Sequence, residues 1–270
     1  EHALAASGIK PLAPEGLSMG FARLSAGRTS IIVDASLPPA GRASHNAHAS
    51  TLAFELTSGR RPLIVNCGSG ACFGAEWRRA GRATPSHSTL CIDGTSSAHL
   101  TAPARDGSEL ISGGPTHVPI EISHAPDGLR FQGGHDGWVR SHGLTHARTL
   151  ELTNDGRGLV GEDLLIAMEE ADKATFINAT KHLLEPGLLF HIRFHLHPEV
   201  DAAVDLGGAA VSMALRSGEI WVLRAGEGAE LSLEPSVYLE TGRLKPRASK
   251  RSVIHLIMPA FSACTIVKAP

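Results

Sequence analysis

The chain has 270 residues, 42% of them apolar, with charged residues at 19% and a net charge of −2. That is enough material for one large domain with its own core. The charge balance leaves no basic surface for nucleic acid, and no apolar run approaches the ~18 residues of a membrane span.

The opening "EHALAASGIKPLAPEG" has no Met, basic n-region or apolar h-region, so it does not read as a signal peptide. Pro and Gly mark residues 1–18 as a linker-like entry, with 19–270 as one domain. Residues 51–56, "TLAFEL", alternate with Leu52, Phe54 and Leu56 on one face, and "TSGRRP" turns the chain into "LIVNCG". "STLCI" ends at Asp93-Gly94, a hairpin dipeptide. "VPIEIS", "APDG" and "LRFQ" follow, and then "RTLELTNDGRGLVGEDLLI", two strands about an Asn-Asp-Gly turn. "EEADKATFINATKHLL" is the one stretch compatible with a helix, and a long loop is the alternative. "LLFHIRFHLHPEV" puts Phe190, Ile192, Phe194 and Leu196 on one face and His191, Arg193, His195 and His197 on the other. "AAVSMALRSGEIWVLRA" turns at Ser217-Gly218, and "SVIHLIMPAFSACTIVKA" supplies closing strands. Turn signals every ~8–12 residues predict an all-β fold, a large antiparallel β-sandwich of two or more stacked sheets with little helix.

Chemistry-bearing residues are led by 15 histidines. The four cysteines, Cys67, Cys72, Cys91 and Cys264, form no CxxC pair and read as buried small hydrophobes rather than a zinc knuckle. His135 and Asp136 in "GGHDGW" could form an oriented imidazole pair, although an Asp capping a turn beside Gly is the commoner arrangement. The polar face of His191, His195 and His197 could bind an anionic sugar or simply pack on its sheet. Arg78, Arg79 and Arg82 in "WRRAGR" could grip carboxylates or sulfates bidentately or form a basic surface loop. Trp77, Trp138 and Trp221 could stack on sugars, with core packing as the default.

The stretch "HASTLAFELTSGRRPLIVNCGSG", followed by "WRRAGRATPSHSTLCIDG", resembles the heparinase II/III-like polysaccharide lyases. "HDGWVRSHGLTHARTLEL", "GEDLL" and "IRFHLHPEV" extend the resemblance over nearly the whole chain. It implies a C-terminal β-sandwich that partners an upstream α/α toroid of the same protein. The activity implied is β-elimination of a uronic-acid polysaccharide, heparan- or alginate-like. The sandwich forms one wall of the cleft, and the toroid supplies the catalytic tyrosine. The single tyrosine here, Tyr238, matches no such motif, so the resemblance implies half a site. The alternative is a catalytically inactive carbohydrate-binding or scaffolding sandwich.

The family pattern His-x-His-x-Asp falls on Asn46, His48 and Ser50, so Asn46 stands where the family has a histidine. The catalytic residues implied are Asn46, Arg82 and His87, with Arg78, Arg79 and His135 on the substrate. A family metal site, zinc, maps onto His48, Asn66 and His87. Asn66 replaces a carboxylate with a neutral, weaker donor, which leaves a hydrogen-bonded His–Asn–His cluster as the other reading. The resemblance implies the periplasm or cell envelope, while unpaired cysteines fit the cytoplasm equally well.

Overall fold

The computed structural model of the protein describes residues 16–181, 187–257 and 262–268. The first strands are β1 (Gly16–Ser18), β2 (Phe21–Ala26), β3 (Thr29–Asp34), β4 (Phe54–Ser58), β5 (Arg61–Val65) and β6 (Leu90–Ile92). A short ribbon, β7 (His99–Leu100) with β8 (Ile111–Ser112), precedes β9 (Ile120–Ala125), β10 (Gly128–Trp138), β11 (Leu144–Thr153) and β12 (Gly158–Ile166). The remainder are β13 (Leu189–Leu196), β14 (Asp201–Asp205), β15 (Ala210–Ala214), β16 (Ile220–Ala225), β17 (Glu230–Tyr238), β18 (Arg247–Ile257) and β19 (Ser262–Lys268).

These strands form two large sheets, antiparallel at every pairing. One runs β1-β2-β3-β4-β5-β13-β18-β17, with β6 also on β13; the other runs β14-β15-β16-β19-β12-β11-β10-β9. The alternation read from the sequence decides which face is inside. On β13, Phe190, Ile192, Phe194 and Leu196 are buried, and so are Leu52, Phe54 and Leu56 around β4. They meet Leu150, Leu152 and Leu159 of the second sheet in one core, each such side chain contributing about 1.5–3 kcal/mol. The expected all-β sandwich is the architecture found.

The Asn154-Asp155-Gly156 turn joins β11 to β12 and also docks the sheets together. Thr29 Oγ1 donates to the Gly156 carbonyl at 2.7 Å. Gly156 has φ 68°, and a Cβ there would sit 2.0 Å from the Ala26 carbonyl oxygen. Only glycine meets both demands.

Three readings of the sequence become more definite. The linker assigned to 1–18 gives way earlier, because Gly16–Ser18 already pairs with Phe21–Arg23. "EEADKATFINATKHLL" resolves as a helix over Glu170–Thr180, started by a capping box of Glu169 and Asp172. "WRRAGR", read either as a grip for carboxylates or sulfates or as a basic surface loop, is largely a short helix over Ala75–Gly81. Trp138 and Trp221 are core residues, whereas Trp77 on that short helix is 37% exposed.

Candidate functional site

A cleft of about 690 Å³ lies between the outer face of β2–β5 and the Ser36–Thr51 segment that links β3 to β4. Asn46, His48, Asn66 and His87, all singled out from the sequence, line it together. Asp34, Ser50 and Glu55 line it as well, with Met19, Phe21, Ile32 and Leu37 forming an apolar side.

The two histidines are coupled. His48 Nδ1 lies 3.0 Å from His87 Nε2, and His87 Nδ1 lies 2.9 Å from the Ala83 carbonyl. A carbonyl only accepts, so the proton of neutral His87 sits on Nδ1 and its Nε2 accepts from His48. The remaining lone pair of the dyad then falls on His48 Nε2. Burial, with the positive charges of Arg82 and Arg78, lowers the His48 pKa to about 4 despite the Gly81 carbonyl. His87 is pushed further, to about 3, by burial and by His48. Both are neutral imidazoles at physiological pH. His87 is 3% exposed and stands behind His48. His87, given a catalytic role by the resemblance, lines the cleft beside His48 and is held to it by the shared hydrogen bond.

Arg82 was expected to reach substrate, and the structure buries it instead. Its guanidinium donates to the carbonyls of Ala47 and Ser44, each at 2.8 Å, and of Glu109 at 3.0 Å. In return, the Ala49 amide donates to the Arg82 carbonyl at 2.9 Å. Arg82 thus shapes the strap that carries Asn46 and His48. Arg78 donates to the His45 carbonyl at 2.6 Å and to Asn46 Oδ1 at 3.1 Å. With its oxygen held, Asn46 has its amide N–H group to offer. Arg79 turns away to Glu109 and the Thr101 carbonyl.

Asn66 is committed on both sides. Its Oδ1 accepts from the Ser88 amide at 2.8 Å, and its Nδ2 donates to Glu55 at 3.2 Å. The site therefore offers two imidazoles and a carboxamide already in use. Among the described residues no three His, Cys, Asp or Glu side chains gather as a metal-binding group. Zinc ordinarily takes four donors, three of them from protein even at open sites. The donor set does not fit a resident zinc ion.

His135, expected on the substrate, is a core residue 1% exposed. Its Nδ1 accepts from the Gly137 amide at 3.1 Å, and its Nε2 lies 3.2 Å from His146 Nδ1. His146 Nε2 in turn donates to Asp163 Oδ1 at 2.5 Å. Burial keeps both imidazoles below their ordinary pKa. Asp136 points elsewhere, accepting from Thr116 and the His117 amide, as a turn-fixing Asp would. On the far strip of the same outer face, His195 is tied to Pro85, Ser236 and Cys67. Cys67 and Cys91 are buried as expected and Cys72 is exposed, while the side chain of Cys264 lies outside those described.

The chain matches the family described as heparinase II/III-like, C-terminal, over residues 9–266. The chain belongs to that family. FtsZ-localized protein C of Caulobacter vibrioides is 31% identical over 226 residues, 83% of this chain and 37% of that protein. The heparan sulfate lyase HepC of Pedobacter heparinus superposes with a TM-score of 0.70 at 16% identity, over 99% of this chain and 38% of its own. A heparinase III structure gives 0.65 at 14% identity, over 95% and 37%. This heparinase II/III-like chain thus spans well under half the length of the relatives it matches, and at these identities the solved structures establish the fold.

Sequence reading missed Asp34 and Glu55. Asp34 ends β3 and Glu55 sits on the outward face of β4, so simple alternation from the buried Phe54 and Leu56 would have flagged Glu55.

Proposed function

We propose that the chain forms one cleft wall of a polysaccharide lyase that cleaves a uronic-acid polymer by β-elimination, opposite an α/α toroid of the same protein. The observation that carries this reading is the His48–His87–Ala83 chain, which leaves an unprotonated ring nitrogen on a cleft-lining histidine. Removal of the C5 proton needs a base within hydrogen-bond reach and a neutralised carboxylate at the same moment. His48 Nε2 supplies a proton acceptor, and the Asn46 amide supplies a donor for the carboxylate. Arg78 and Arg82 hold these two in place, and the toroid contributes the tyrosine that protonates the leaving oxygen. The periplasm or cell envelope is the setting that goes with this reading.

The test is ultraviolet absorbance of the unsaturated uronate released from heparan, alginate and related polymers by the toroid-bearing protein. His48→Ala is expected to lower turnover by roughly 10²–10⁴-fold, and Asn46→Ala to lower it as well. Undiminished turnover in His48→Ala would remove His48 from the chemistry.

A second reading is a carbohydrate-binding or scaffolding sandwich without turnover, which would suit a cytoplasmic setting. It is favoured by Asn46 at the position of the family histidine and by 31% identity to a protein named for its localisation with FtsZ. Saccharide binding with no unsaturated product from any uronate polymer would select it.

A further inference from the structure

Away from the cleft, the outer face of the same sheet carries a second cluster, and its chemistry is that of a different ligand. Strands β6 and β13 pair with His191 opposite Cys91. Two residues further along, the Arg193 amide donates to the Thr89 carbonyl at 3.1 Å. Directly opposed residues of an antiparallel pair point to the same side. Phe190, Ile192 and Phe194 turn into the core, so Thr89, Cys91, His191 and Arg193 share the outer face.

Their polar groups are not satisfied there. Among the described residues, nine buried side-chain nitrogens and oxygens lack a hydrogen-bond partner. Four of them fall on this one patch: Arg193 Nε and Nη1, His191 Nδ1 and Thr89 Oγ1. Arg193 is 9% exposed and Thr89 1%. No described carboxylate forms an ion pair with Arg193. Of the two carboxylates that act on His191, Glu234 is held by Arg251 at 2.7 and 3.0 Å, and Asp93 is exposed beyond the end of β6. The Cys91 thiol donates to the Thr95 carbonyl at 2.8 Å. A buried guanidinium without a counter-charge is costly, and a patch that keeps one is built for a partner from outside.

The donors specify that partner. Guanidinium N–H groups, an imidazole N–H and a hydroxyl call for several acceptor oxygens around one negative centre. A tetrahedral oxyanion provides them, whereas a planar carboxylate has two oxygens and leaves donors unmet. Entry is at His191, which is half-buried. Its Nδ1 is unbonded and its ring meets that of His255 edge-on, centroids 4.8 Å apart, so the ring is free to turn aside and admit an ion.

We propose that Arg193, His191 and Thr89 form a binding site for a phosphate-type oxyanion, either the free ion or the phosphate group of a small phosphomonoester. The site is separate from the saccharide cleft and does not depend on that reading.

The experiment titrates the protein with inorganic phosphate and, separately, with glycerol phosphate, at an ionic strength held constant with chloride. Magnetic resonance follows the His191 ring and the Arg193 Nε–H group. Saturable shifts are expected at both. The His191 pKa, held at about 4 by burial and by Arg193, is expected to rise, because a bound anion favours the imidazolium. Phosphate raises the urea midpoint of the parent and leaves that of Arg193→Met in place. That variant exchanges an unpaired buried charge for an apolar chain, a change the fold accommodates. Thr89→Val, close to isosteric, weakens phosphate by about tenfold. Saturation by both ligands assigns the site to a phosphate group, and saturation by phosphate alone assigns it to the free ion. Silent His191 and Arg193 resonances, an equal response in Arg193→Met, or saturation by a uronate oligosaccharide in place of phosphate overturns the proposal.

Discussion

Arg148 and Asp163 face each other across β11 and β12 in the middle of the sandwich, joined by two parallel hydrogen bonds of 2.9 Å. Arg148 Nη1 continues to the carbonyls of Leu52 at 2.8 Å and Ser88 at 3.2 Å. These residues adjoin the segments that carry His48 and His87, so one buried ion pair ties the second sheet to the floor of the cleft. Burial pushes the Asp163 carboxyl up, but Arg148 and His146 outweigh it and hold the pKa at about 2. Removing one partner leaves an uncompensated buried charge, expected to cost about 3–5 kcal/mol. Urea unfolding should show that loss in Arg148→Met and in Asp163→Asn, and much less of it in Arg148→Met/Asp163→Leu. Single variants as stable as the parent would mean that the pair is not holding the sheets.

Acid should loosen the protein well before the carboxylates titrate. His87, with a folded pKa near 3 against 6.5 when unfolded, is neutral in the fold. The unfolded chain therefore binds more protons below pH 6.5, and stability is lost progressively as pH falls from 6.5 toward 3. Buried His195, at about 4, adds to the same trend. From about pH 7.5 to about pH 5, His87 alone is expected to remove about 2 kcal/mol. Urea midpoints that stay level across this range would contradict the buried neutral imidazoles.

Much of this was legible before any coordinates. Period-two patterning from Leu52 to Leu56 and along Phe190–Leu196 fixes inner and outer faces, because a strand must bury one side. The same pattern places His146 and Arg148 on the inward side of β11 with Leu144, Leu150 and Leu152. Their counter-charge Asp163 lies opposite only once the Asn154-Asp155-Gly156 turn fixes the register, which is why His135 passed for a surface ligand. Arg82 misled for a related reason. Its charge suggested substrate, but its partners are backbone carbonyls 27 to 38 residues away in sequence, and no motif announces them. Asp34 joined the cleft through the fold of the Ser36–Thr51 segment, which carries no periodic signal.

The altered metal position makes its own prediction. Asn66→Asp keeps an oxygen for the Ser88 amide but sets a second carboxylate against Glu55, a repulsion that a cation would relieve. Zinc affinity, measured by competition with a chelator, is expected to rise in Asn66→Asp and to fall again when His48→Ala is added. Equal affinity in the parent and Asn66→Asp would show that residue 66 does not converge with the two histidines.

Arg82 should behave as a shaping residue. Arg82→Ala strands three buried carbonyls, an expected cost of several kcal/mol, and frees the strap over Gly41–Asn46. Amide hydrogen exchange in residues 41–49 should accelerate while β11 and β12 stay protected. Unchanged protection of 41–49 would mean that the strap holds without it.

The central claim is that the cleft between β2–β5 and the Ser36–Thr51 segment is the saccharide site. Amide chemical-shift mapping during titration with a uronate oligosaccharide tests it most directly. The account predicts saturable shifts at Asp34, Asn46, His48 and Glu55, reduced in Asn46→Ala, with His191, Arg251 and His255 quiet. Shifts gathered on that His191–His255 strip, or none in residues 34–55 at saturating ligand, would contradict it.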